Sequence, residues 1–336
     1  MARIVLGIGT SHGPMLSTPP EQWHQRVAAD RTRSHPYQGC RYSFDELVRL
    51  RGAEQLVKQC EPDQMADRFA QCRRAIGRLA QSWADVRPDV VILVGNDQME
   101  VFSEDNIPAM AVHYGPTLEN VPYSEEQTKR LQPGLAIAEP GHHAGHSEVF
   151  PGHPELAQHL LRTLTTHHFD AAAMRQLPHN PRSYSTGLPH AYGFVYRQII
   201  REHLCPAVVV MLNTFYPPNQ PTAARCHALG RAIAEAVAAW PGEERVAVVG
   251  SGGLSHFVVD ETLDRGFLDA LRRGDEQQLL SMGEELFQSG TSELKNWLPL
   301  AGAMRAAGLH MHLHDYVPCY RSEAGTGNGM GFAAWT

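Results

Sequence analysis

Several short stretches of the chain read as strands, and most of them stop abruptly on small or polar residues. Residues 246–249, 89–94 and 207–212 are continuous apolar runs rich in β-branched side chains, as expected of strands buried on both faces of a parallel or mixed sheet. Residues 4–8, 108–114 and 171–177 read as further strands. Between them the apolar positions move to helical spacing. Leu156, Leu160, Leu161 and Leu164 mark a helix over 154–167, and others are predicted over 191–203 and 222–240. From residue 257 to about 307 the chain reads as mainly helical. Residues 19–86 are more polar, with Phe69, Ile76, Leu79 and Trp83 at helical spacing, and read as an insertion that covers the sheet or lids a site. Residues 33–42 within it are expected to form a loop, and residues 115–154, dense in proline, glycine, histidine and acids, a long one. The fold class expected is α/β: a single domain over 1–336 with a central, mostly parallel or mixed sheet flanked by helices, plus the N-terminal helical insertion of about 19–86.

The chemistry gathers where the strands stop. Val246-Ala247-Val248-Val249 breaks into Gly250-Ser251-Gly252-Gly253 and delivers His256, and the first strand breaks through Gly9-Thr10-Ser11 to His12. Gly95-Asn96-Asp97-Gln98 and Asn213-Thr214-Phe215-Tyr216 follow two other strands, and His190 opens a helix. In open α/β sheets, ligands bind beyond the carboxyl ends of the strands, so these residues form one candidate site. Histidines and a carboxylate with open positions suit mononuclear non-haem iron, and histidines left over suit proton transfer.

Composition narrows the class. The 336 residues carry a formal charge of -7, which argues against nucleic acid or an anionic membrane as partner. The six cysteines are scattered without CxxC pairs, and a reducing, cytoplasmic setting fits them best. No apolar run reaches membrane-spanning length, and the start shows no secretory pattern. Histidine is in excess at 19 residues, with clusters at His142-His143-His146 and His310-His312-His314. The tail from Gly325 to Gly331 is glycine-rich but follows no predicted strand, which speaks against a phosphate loop.

Ser11-His12-Gly13-Pro14, Asn96-Asp97, Gly252-Gly253-Leu254-Ser255-His256 and Ser292-Glu293-Leu294-Lys295 together resemble the class III extradiol ring-cleavage dioxygenases of the protocatechuate 4,5-dioxygenase β-subunit type. The run from Gly7 to Leu16 is similar to 3-O-methylgallate dioxygenase-like members. The resemblance covers most of the chain outside the insertion and implies iron(II), dioxygen and a catechol- or gallate-type aromatic acid. It also implies His12 and Glu293 as metal ligands, and His256 and His190 as acid and base. Asn213, Tyr216 and Ser251 then orient the ring substituents. A homo-oligomer is expected, with a small helical partner subunit as an addition.

One position departs from the family pattern. Where the family carries Asn-Asp-His, with that histidine as second iron ligand, this chain has Asn96-Asp97-Gln98. A carboxamide oxygen is a poorer donor to iron(II) than imidazole. Either Gln98 ligates weakly, or Asp97, Glu100, His113 or His146 takes the place, or iron is lost. The rival reading is therefore a metal-poor relative that hydrolyses or binds an aromatic acid.

Overall fold

The computed structural model describes residues 1–180 and 182–336. A nine-stranded sheet runs in the order His256–Val258, Thr326–Trp335, Arg3–Thr10, Arg245–Ser251, Val90–Asn96, Ala207–Leu212, Met110–His113, Ala172–Met174, and Met311–Tyr320 also pairs with Thr326–Trp335. Arg3–Thr10, Arg245–Ser251, Val90–Asn96 and Ala207–Leu212 are mutually parallel, whereas Thr326–Trp335 runs antiparallel to its neighbours and Met110–His113 antiparallel to Ala207–Leu212 but parallel to Ala172–Met174. The sheet is therefore mixed, and its four central strands end on one edge. Thr10 sits opposite Ser251, and Asn96 opposite Leu212.

Two apolar layers explain why these strands read as continuous hydrophobic runs. Val90, Ile92, Val94, Val208 and Val210 face a core that includes Leu160, Ile233 and Leu300. Their alternating neighbours Val91, Leu93 and Val209 face a second core with Ile76, Trp83 and Tyr192. Helices Pro154–Thr166, Ala223–Ala239 and Trp297–Ala307 cover the first face, and Pro62–Val86 and His190–Val195 the second. Each fully buried large apolar side chain here contributes roughly 1.5–3 kcal/mol.

Local corrections concern the segments read as loops. Residues 33–42 contain a hairpin, His35–Tyr37 with Cys40–Tyr42, so the insertion is not wholly helical. Its last helix, Pro62–Val86, buries Cys72, Ile76, Leu79 and Trp83 against the sheet and belongs to the main fold. Residues 115–154 contribute Thr117–Val121 and Glu148–Pro151 to a small sheet completed by Thr186–Gly187. The helix expected over 191–203 runs over His190–Val195 and continues as a π-helical turn, Tyr196–Ile200.

The glycine-rich tail is the largest surprise, because Thr326–Trp335 is a wholly buried strand. Its glycines answer to crowding: a Cβ on Gly329 would lie 2.0 Å from Asp264 Oδ2. Gly329 instead donates its N–H to Ser255 O and accepts from Leu254 N, which ties the loop carrying His256 to the sheet. No described helix is long and apolar enough to cross a membrane.

Candidate active site

Three strand ends and one 3-10 segment build the centre of the site. His12 follows the N-terminal strand, Gln98 follows Val90–Asn96, His256 opens the strand after the glycine loop, and Glu293 lies in the 3-10 segment Ser289–Asn296. That segment is pinned to the strand edge. Asn296 Nδ2 donates to Asn96 Oδ1 at 2.8 Å, and Thr291 Oγ1 accepts from His256 N at 3.1 Å.

Glu293 is the centre of the cluster. Its Oε2 accepts from Gly253 N at 2.8 Å, and its Oε1 accepts from Asn96 Nδ2 at 3.3 Å and from Gln98 Nε2 at 3.2 Å. His12 Nε2 stands 3.5 Å from Oε2 and His256 Nε2 3.7 Å from Oε1. Burial opposes the carboxylate charge, but His12, His256 and these donors outweigh it and hold Glu293 far below the ordinary carboxylate range.

The tautomer of His12 follows from its neighbours. Ser251 Oγ spends its proton on Ala191 O at 2.7 Å, so at 3.0 Å it accepts from His12 Nδ1. Burial disfavours the charged ring more than Glu293 favours it, and with His190 and His256 adding repulsion the His12 pKa falls to about 4. At neutral pH, His12 Nε2 therefore presents a lone pair to the Glu293 carboxylate. Two buried acceptors facing each other across 3.5 Å call for a cation between them.

The other two histidines behave differently. His256 Nδ1 donates to Leu254 O at 2.8 Å, which leaves Nε2 facing the cavity. His190 Nδ1 bonds Glu100 Oε1 at 2.6 Å while its backbone N–H donates to Oε2, so Glu100 fixes both the ring and the helix start. Burial lowers the proton affinity of both rings, but Glu293 for His256 and Glu100 for His190 outweigh it, and both pKa values rise. Each ring faces a buried carboxylate that the strand pattern does not show.

His12, Gln98, His190, Tyr216, His256 and Glu293 line one cavity of about 600 Å³, a volume suited to a small aromatic molecule. Tyr216 Oη reaches Gln98 Oε1 at 3.5 Å. Ser251 lies behind His12 and positions it. Asn213 uses its amide to hold its own loop through Tyr216 and Asn219. Of the replacements considered for a second ligand, Asp97 spends its carboxylate on the N–H groups of Glu100, Val101 and Phe102. Glu100 is engaged by His190. His113 pairs with Val209, away from the edge that carries Leu212, and His146 is exposed.

The strand-end pattern missed a supporting layer. His142 Nε2 meets Tyr123 Oη at 2.9 Å, His143 Nδ1 meets Glu139 Oε1 at 3.2 Å, and the His142 and His190 rings lie edge to face at 5.9 Å. The His142-His143 pair was visible as a cluster, but nothing in the sequence attached its loop to the site. Asp264 was also missed. It accepts from Ser255 N and Oγ, both at 2.7 Å, and anchors the glycine loop.

Among the described residues no group of three or more His, Cys, Asp and Glu side chains is gathered as a metal-holding set. The donors present are His12, Glu293 and the Gln98 carboxamide. The opposed lone pairs of His12 and Glu293 fit a divalent cation, with Gln98 the weakest of the three donors.

Residues 56–326 match the model for the catalytic LigB subunit of aromatic ring-opening dioxygenase. The chain is also similar to a gallate dioxygenase of Pseudomonas putida, 28% identical over 180 residues, or 50% of each chain. It thus spans about half the length of that curated relative. With the family match running from the Pro62–Val86 helix through the glycine loop and Glu293 into the last strand, the chain belongs to the LigB family of aromatic ring-opening dioxygenase catalytic subunits.

Proposed function

We propose that this protein opens the ring of a catechol- or gallate-type aromatic acid in an extradiol reaction with dioxygen, at an iron(II) ion held by His12, Glu293 and Gln98. The observation that carries the reading is the neutral His12 Nε2 facing the Glu293 carboxylate on the wall of a ring-sized cavity. Bound iron(II) supplies a Lewis acid that binds adjacent substrate oxygens and brings dioxygen beside them.

The chain's own residues orient and move protons. His256, with Nδ1 fixed on Leu254 O, accepts the proton of a substrate hydroxyl at Nε2. His190, its ring held at Nδ1 by Glu100, returns a proton to the opening ring. Gly253 N, Asn96 and Gln98 keep Glu293 ionised and in place.

Anaerobic loading with iron(II), followed by oxygen and a panel of catechols and gallates, tests the proposal. A yellow ring-opened product that disappears in Glu293→Gln supports it, and its absence across the panel contradicts it. The second reading, a metal-poor relative acting on an aromatic acid without oxygen, is favoured by one observation: Gln98 turns its amide nitrogen, not its oxygen, toward Glu293. Purification metal-free, with no iron uptake on loading, selects that reading.

A further inference from the structure

We propose that Arg26 and Arg33, both from the N-terminal insertion, form an anion subsite that seats the carboxylate of the aromatic substrate. The inference rests on the ring-opening reading for the rest of the molecule bound, but its evidence is separate. Both arginines line the same cavity as His12, Glu293 and His256. Arg33 stands over the Phe257 ring, 5.7 Å from Cζ to centroid, and Phe257 meets the His256 ring edge to face at 5.4 Å. A guanidinium in this place faces the ring of a substrate whose hydroxyls lie beside His256.

The cations here outnumber the anions that answer them. Asp30 gives both its oxygens to Arg321, at 2.7 and 2.8 Å, and Oδ2 accepts from Thr326 as well. Arg26 is buried and donates only to Pro133 O at 3.1 Å and to Gln132 Oε1 at 3.5 Å, leaving its Nε without a partner. Among the described residues the Arg33 guanidinium makes no ion pair or hydrogen bond, although its backbone N–H donates to Asp30 O at 3.3 Å. Burial, then repulsion from Arg321 and, more weakly, from Arg33, lowers the Arg26 pKa to about 10 against the pull of Asp30. A buried donor without an acceptor beside a second unpaired guanidinium is a standing demand for a planar anion, and a carboxylate matches the fork geometry of arginine.

Of the three residues expected from sequence to hold the ring substituents, Tyr216 lines the cavity but two do not reach it. Ser251 is behind His12 and Asn213 is tied into its own loop. The insertion therefore selects for the acid, while the strand edge carries the chemistry.

Calorimetric titration of the intact protein with 4-hydroxybenzoate and 4-hydroxybenzamide, neither of which is a catechol, tests the subsite without turnover. Wild type is expected to prefer the acid, Arg33→Gln to weaken acid binding about 10–100-fold with amide binding unchanged, and Arg33→Lys to recover part of the loss. Arg33 is only half-buried, so its variants keep the fold; Arg26→Lys is a second probe of the buried partner. Equal binding of acid and amide by wild type, no binding of the acid, or an undiminished preference in Arg33→Gln would overturn the proposal. The same proteins in the ring-opening assay separate the two claims. Arginine-dependent acid binding without product removes the ring-opening reading and leaves the subsite, whereas product formation indifferent to Arg33 removes the subsite alone.

Discussion

On the sheet side of the cavity the buried groups are lone-pair donors held toward one another, His12 Nε2 and Glu293 Oε2, while on the insertion side stand the buried Arg26 and half-buried Arg33 guanidinium groups, with the Asp30 carboxylate beside them taken by Arg321. The difference is built by different parts of the chain. A strand end and the 3-10 segment pinned to it deliver the donors, whereas the end of the 3-10 segment Pro20–Arg26 and the turn between helix Val27–Arg31 and the hairpin deliver the cations. The strand edge is thus prepared for a cation and the insertion for an anion. A dihydroxy aromatic acid bound across the cavity, hydroxyls toward His256 and carboxylate toward Arg33, satisfies both.

Breaking the sheet side is expected to have the largest effect. Glu293→Gln removes the charge that His12, Asn96, Gln98 and Gly253 N surround, and both iron content and ring opening should fall to background. Retention of iron by this variant would relocate the metal.

Next comes the ion pair that anchors the insertion. Asp30→Asn leaves Arg321 buried without its partner and should cost about 3–5 kcal/mol in denaturant unfolding. Burial raises the Asp30 pKa, but Arg321 and Thr326 outweigh it, so the folded value lies below the ordinary 3.8. The unfolded chain therefore binds this proton first as pH falls. The contribution is full above the ordinary value, is lost as pH drops through the depressed one, and should be missing from the acid unfolding curve of Asp30→Asn. An unchanged curve would show that the pair adds nothing.

A smaller change is expected behind the donor set. Ser251→Ala removes the acceptor that fixes the Nδ1–H tautomer of His12 and should weaken iron binding about 10–100-fold, with the fold retained. The smallest is Gln98→His. Replacing the weakest donor by imidazole should tighten iron binding and keep or raise ring opening, as read from metal retention on dialysis. Loss of iron in this variant would mean that the carboxamide is needed as it stands.

The sheet side was legible in the sequence because strand ends carry a strong signal. His12, Gln98 and His256 were named from their places beside strand ends and Glu293 from the family resemblance, and the fold brings the four together. The insertion side was not. Arg26 and Arg33 flank the short helix Val27–Arg31 in a stretch with no sustained period, and guanidinium groups on such a stretch look like solvated surface. Thr326–Trp335 hid for the opposite reason, since its glycines leave room for Asp264 and Leu254 and so erase the strand's apolar alternation. The partners of His190 and His256 were equally silent. Glu100 lies 90 residues from His190, and only the fold reveals the contact that sets its charge.

The most direct test of the account is iron stoichiometry and ring opening in one preparation: anaerobic loading of wild type, His12→Ala and Glu293→Gln with iron(II), desalting, metal analysis, and then oxygen with 3,4-dihydroxybenzoate and gallate. The account predicts one iron per wild-type chain and a yellow ring-opened product from at least one of the two acids, with neither variant retaining iron or forming product. Wild type without iron, or variants that hold iron and open the ring as well as wild type, would contradict it.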